Sequence, residues 1–213
     1  MSVAFGTLSR RLFLLAAAGA VAAIAAGPLR AANSTSEPAE IVAALGQDLG
    51  DLASNSGTMT GAERLDAVSG LLNRYFDLPK IAANTIGARR FRGLSETQQA
   101  DFIDAYTRFT VASYIRRLPQ FDASGFSVGS ISEGPAGLSA VRATYSGADS
   151  RDAVLDFVLS ETPAGYRIVD LRIDGDISEL AVRRSEVSKV LDEKGFDGLI
   201  LLLRERTAAL SEG

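Results

Sequence analysis

Asp170, Asp174 and Asp176 form the densest group of side chains in this sequence that could do chemistry. Paired carboxylates can act as acid and base on a glycosidic bond. Here they fall at alternate positions of an expected strand and at its exit, where solvated edge charges are the ordinary explanation. Sites that cleave sugars also tend to stack Trp on the ring, and the chain has no Trp. Asp174-Gly175-Asp176 has the start of a calcium loop without the later ligands or the closing Glu. Gly125, Gly129, Gly134 and Gly137 precede no Lys-Ser/Thr pair and no helix, so they make no phosphate loop.

The missing residue types exclude more. With no His and no Cys there is no imidazole base, no thiol nucleophile, no Ser-His-Asp triad, no disulfide and no ordinary zinc or iron–sulfur site. A protein that is not an enzyme and carries no metal or cofactor is the expectation.

Ser9-Arg10-Arg11-Leu12-Phe13-Leu14-Leu15 heads an apolar run that continues to Ala26, followed by small residues and Arg30. A basic head, an apolar centre and a small-residue exit describe a bacterial export signal over residues 1–32, and the paired arginines fit the twin-arginine type. The alternative is a retained anchor, for which Leu12 to Ala26 is short against the roughly 20 residues that span a bilayer. Removing the signal near residues 26–32 places the protein in a periplasm. The whole chain has 22 basic and 26 acidic residues, and the signal holds three of the basic ones, leaving a formal charge of −7. That balance argues against nucleic acid as a partner.

Residues 33–39 read as a linker and 40–213 as one domain. Glu40 to Ala53 has a weak helical period. Thr60 with Glu63 makes a capping box for a helix through Tyr75, which Phe76-Asp77-Leu78-Pro79 breaks. Pro79 then sits in the first turn of a short helix ended by Gly87. Ser95 with Gln98 caps the longest helix, to about Arg117, with Phe102, Tyr106 and Phe109 on one face. From Phe121 the period changes to two. Phe126–Ile131, Leu138–Tyr145, Ala153–Ser160 and Tyr166–Asp174 predict a four-stranded meander with one buried and one wet face. Ile177–Glu193 and Phe196–Leu210 predict two closing helices with Gly195 between them. The fold class is α+β, an antiparallel four- or five-stranded sheet with helices on one face.

Phe76-Asp77-Leu78-Pro79-Lys80-Ile81-Ala82, Gly87 and Leu94-Ser95-Glu96-Thr97-Gln98 leading into Phe102 and Tyr106 form an ordered set. Gly165-Tyr166-Arg167-Ile168-Val169-Asp170-Leu171, Arg183-Arg184-Ser185-Glu186 and Lys194-Gly195-Phe196-Asp197-Gly198-Leu199 complete it. In order and spacing this set resembles the toluene-tolerance/MlaC family of periplasmic phospholipid-binding components of ABC transport. Phe91 stands where many members have Trp, and Arg183 and Val187 where an aromatic is frequent. Leu180-Ala181-Val182-Arg183-Arg184 is closer to a branch associated with hopanoid biosynthesis, which implies a hopanoid in place of a glycerophospholipid.

The resemblance implies a lipid carrier with an apolar cavity. Its partners would be an inner-membrane ABC transporter complex and an outer-membrane lipoprotein complex. On this reading Val141, Tyr145, Leu155, Phe157, Val169 and Leu171 of the sheet oppose Phe102, Tyr106 and Phe109, and Leu199, Ile200 and Leu203 close one side. Tyr106 and Tyr145, apolar in body and polar at the tip, suit the mouth. The competing reading is a periplasmic adaptor with a packed core. Interior apolar space of roughly 300 Å³ or more favours a ligand; close packing favours the adaptor.

Overall fold

The computed structural model describes residues 37–121, 123–146, 152–175 and 177–211. The segment expected to be an export signal, and Asp176, lie outside the described residues. Among these, no helix is long and apolar enough to cross a membrane.

Helices α1 (Pro38–Asn55), α2 (Gly61–Tyr75), α3 (Leu78–Ile86), α4 (Ala88–Arg92) and α5 (Glu96–Arg117) come first. Strands β1 (Phe126–Glu133), β2 (Leu138–Tyr145), β3 (Ala153–Thr162), β4 (Gly165–Ile173) and β5 (Ile177–Ser178) follow, and α6 (Glu179–Ser211) closes the chain. The sheet is antiparallel in the order β1-β2-β3-β4-β5.

Local chemistry sets most boundaries. Thr60 Oγ1 accepts from Glu63 N at 3.2 Å while Glu63 Oε2 accepts from Thr60 N at 2.8 Å. Ser95 and Gln98 repeat this reciprocal arrangement at 3.2 and 3.0 Å, so orphan N–H groups at both helix starts are satisfied. Asp77 Oδ1 accepts from Lys80 N at the start of α3, and Gly87 at φ 90° ends it in a conformation that suits glycine. Gly195 (φ 68°, ψ −173°) kinks α6 into two helical segments, the expected break.

The five-residue helix α4 fills the stretch between Gly87 and Gly93. Two features depart from the expectation. Ile177 and Ser178, expected to open a helix, form the strand β5, which pairs with β4 through Arg172–Ser178 and Ile173–Ile177 and makes the sheet five-stranded. The face of the sheet expected to be wet is partly covered: Val158, Ser160 and Asp156 are all buried.

Asp156 accepts from Arg142 Nε and Nη2 at 2.8 and 2.9 Å across β2 and β3, a bidentate pair. The hydrogen bonds from Arg142 hold the Asp156 carboxyl below the usual carboxylate range, outweighing its partial burial.

The apolar residues gather in two separate clusters. One joins α1 and α2 to the sheet through Val42, Leu72, Val141, Phe157, Leu159 and Ile168. The other joins α3, α5 and α6 through Ile86, Phe102, Phe109, Val187, Leu199 and Leu203. Helix α5 packs mainly on α2, α3 and α6, while α1, α2, α3 and α6 make the main helical contacts with the sheet. The long helix was expected to lie directly on the sheet; it is set back from it.

The Asp156–Arg142 pair gives a pH test. A depressed folded pKa contributes stability above the unfolded value near 4 and loses it as pH falls through the folded pKa. Asp156→Asn should therefore cost about 1 kcal/mol at pH 7, the pair being half-exposed at Arg142. The difference from the unaltered protein should shrink below about pH 4. Thermal unfolding at pH 7 and pH 3 measures both.

Candidate functional site

Between α5 and β4 the setback leaves a cavity of about 140 Å³. Leu72 and Phe76 at the end of α2, Leu78 and Ile81 of α3, and Tyr106 and Phe109 of α5 form its apolar wall, with Val169, Leu171 and Ile173 of β4 opposite. Phe76 meets Tyr114 edge-on at 6.0 Å.

A register break shapes the β4 wall. Val158 pairs with Asp170 and Leu159 with Ile168, so Val169 is an extra residue. Such a bulge bends the strand. Both Ile168 and Val169 are buried; Ile168 belongs to the sheet-side core and Val169 to the cavity wall.

The lining also carries polar groups: Asp170, Glu179, Arg183, Arg117, Thr110, Ser113 and Tyr114. Asp170 is not the solvated edge charge expected from its place in the strand. Its Oδ1 accepts from Leu171 N at 2.8 Å and Leu180 N at 3.0 Å, and its Oδ2 accepts from Ser178 Oγ at 2.7 Å. Ser178 Oγ in turn accepts from Ala181 N at 3.0 Å. The carboxylate and the serine together cap the start of α6.

Arg183 lies one turn into α6. Its guanidinium stands over the Phe109 ring at 5.5 Å, and Nη1 donates to Glu186 Oε2 at 3.3 Å. Burial pushes the Glu186 carboxyl up from its ordinary value. Burial also pushes the Tyr114 phenol up to about 12 and raises that of Tyr106, so both stay neutral at physiological pH.

Of the residues expected to face a ligand, Tyr106, Phe109, Val169 and Leu171 line this cavity. Phe102, Leu199, Ile200 and Leu203 instead fill the core between α5 and α6, on the side of α5 away from the sheet. Val141, Phe157 and Leu155 pack in the sheet-side core. Tyr145 is at the far rim, stacked on Phe121 at 5.3 Å and donating to the Gln120 carbonyl at 3.1 Å. Tyr106 is not at the mouth: it is buried, with its hydroxyl 3.3 Å from Thr85 Oγ1.

The lining also includes Leu72, Phe76, Leu78, Ile81 and Leu180, which the sequence reading did not assign to the ligand site. The break at Phe76-Asp77-Leu78-Pro79 was the available signal, because a chain reversal beside the sheet must bury its apolar residues.

A second, more open space of about 210 Å³ lies between α1 and β1, lined by Ala43, Gly46, Gln47, Phe126 and Val128. Among the described residues no group of three or more His, Cys, Asp or Glu is placed to hold a metal ion.

Both spaces fall below the roughly 300 Å³ of ordinary ligand sites. By volume alone, the interior is nearer the packed-core alternative. The position of the cavity, at the seam of the two clusters, points the other way. Its walls come from both clusters, at the place where α5 is set back from the sheet.

The family described as MlaC protein matches residues 45–205. No curated protein matches the chain. Among solved structures, a phospholipid-binding protein from Ralstonia solanacearum, determined in complex with a phospholipid, has a similar fold with a TM-score of 0.66. It is 18% identical and the superposition covers 84% of this chain and 99% of that one.

The capping of α6 is directly testable. Asp170→Ala leaves Leu180 N and Ser178 Oγ without their acceptor and should cost about 1–2 kcal/mol, the range of lost helix caps. Hydrogen exchange should show faster opening at Leu180 and Ala181 before any change in the second half of α6.

Proposed function

The chain belongs to the MlaC family, and we propose that it is a lipid-binding carrier that holds phospholipid acyl chains between α5 and β4. The observation that carries this reading is the apolar cavity at the seam of two cores, with charged and hydroxyl groups also in its lining. Acyl chains need the first and a headgroup the second.

The free energy explains the role. Each methylene moved into water costs about 0.8 kcal/mol, so a 16-carbon chain faces on the order of 12 kcal/mol. A protein that covers the chains removes that barrier without nucleotide, metal or a covalent step. Lengthening the cavity toward acyl dimensions requires α5 to move from β4, since Asp170 and β5 tie the start of α6 to that strand. Helix α5 makes its main contacts with α2, α3 and α6 and not with the sheet, which supports such a movement.

On this reading the protein is exported to the periplasm and works without catalysis. It exchanges phospholipid, or a hopanoid, with an inner-membrane ABC transporter complex and an outer-membrane lipoprotein complex. Family membership, the absence of His and Cys, and the basic apolar N-terminal segment support it.

Native mass spectrometry of the purified protein after incubation with phospholipid vesicles tests the binding. One lipid mass per chain is expected, and a polycyclic mass would identify the hopanoid branch. A spectrum of protein alone would favour the packed-core adaptor.

Two substitutions locate the site. Ser113→Phe places a ring in the cavity and should abolish lipid capture with the fold retained. Phe157→Leu, which trims the sheet-side core, should lower stability by about 1 kcal/mol with capture unchanged. The reverse pattern would move the site away from the α5–β4 seam.

A further inference from the structure

Arg183 is held at the edge of the cavity with most of its donor capacity unused. Its ring contact is with Phe109, itself part of the cavity wall, and of the five N–H donors of a guanidinium one is hydrogen-bonded, to Glu186 at 3.3 Å. That single long bond is not the bidentate pairing seen between Arg142 and Asp156. The side chain is 22% exposed, so the fork meets both the apolar interior and solvent.

Of the two guanidinium groups in the lining, Arg183 and Arg117, Arg183 is the one seated over a ring of the cavity wall. The first free N–H groups of α6 are taken by Asp170 and Ser178, so the helix N-terminus has no donors to spare at Leu180 and Ala181. Arg184 turns away, its Nε donating to the Asn84 carbonyl at 2.8 Å. Asp170 and Glu179, also in the lining, are acceptors when ionised and repel an anion.

We propose that Arg183 is the specificity-determining residue of the cavity and binds the phosphate of an anionic lipid headgroup, with the acyl chains lying between α5 and β4. This rests on the lipid-binding reading and goes beyond it by naming the headgroup chemistry and the residue that reads it. A guanidinium presents paired N–H donors that match two phosphate oxygens, and partial burial strengthens the contact. Phe109 fixes the plane of the fork, and Glu186 holds it through one donor while leaving the others facing out. A neutral polycyclic lipid offers no anion to this group.

The test uses the full chain and vesicles containing equal amounts of phosphatidylglycerol and diacylglycerol with the same acyl chains. Captured lipid is extracted and quantified. The unaltered protein is expected to favour phosphatidylglycerol about tenfold, and Arg183→Gln to lose most of that ratio, the effect of one charge-assisted contact. Arg183→Lys should restore part of it, and Glu186→Gln, which releases the fork, should raise it. Arg89→Gln removes an exposed cation on α4 and should leave the ratio unchanged.

A wild-type ratio in Arg183→Gln, with a normal melting curve, would overturn the proposal and leave lipid binding intact. Capture of neither lipid by the unaltered protein would overturn both. Inorganic phosphate is the remaining arm: Arg183-dependent binding of phosphate alone, with no lipid ratio to lose, would identify a free-phosphate site and contradict a headgroup role.

Discussion

The carboxylate of Asp170 fixes the geometry on which the candidate site depends. It leaves β4 just after the Val169 bulge and accepts hydrogen bonds from Leu171 N, Ser178 Oγ and Leu180 N. One side chain thereby joins the sheet to the start of α6 and satisfies part of the helix terminus. The same junction sets Glu179, Leu180 and Arg183 in the lining of the cavity. Without it, the last helix would be tied to β4 only through the two-residue strand β5 and side-chain packing.

A division of the apolar interior follows from that arrangement. Most small domains bury one contiguous core. Here α1 and α2, with Leu78 of α3 and Val111 of α5, complete the sheet-side cluster, and the remaining apolar residues of α3, α5 and α6 form the other. Spaces of about 140 Å³ at the α5–β4 seam and about 210 Å³ between α1 and β1 are left between the elements. Close-packed regions resist deformation and poorly filled seams do not, so movement at the seam is the economical way for this fold to admit a long apolar ligand.

Local signals were readable from the sequence, and relations between elements were not. Thr60 with Glu63, Ser95 with Gln98, Gly87 and Gly195 mark boundaries through interactions within a few residues, and each is where it was expected. Alternation identified four strands and their turns. It could not show the Val169 bulge, which depends on how β3 and β4 pair. Periodicity likewise showed that Phe102, Phe109, Phe157 and Leu199 are buried without showing against what. Two cores were therefore read as the two walls of one cavity. Tyr106 reads as a mouth residue by type, yet Thr85, on a different helix, donates to its hydroxyl oxygen in the interior. Asp170 was misread because its partners, eight and ten residues away, belong to a helix start that the sequence does not mark.

Photo-crosslinking with a phospholipid carrying a diazirine along one acyl chain tests the seam most directly. Peptide mapping of the adduct should place label on both walls, on α5 at Tyr106 to Ser113 and on β4 at Val169 to Ile173. Label confined to Phe126 and Val128 beside α1, or to Val141 and Phe157 within the sheet-side core, would contradict a site between α5 and β4.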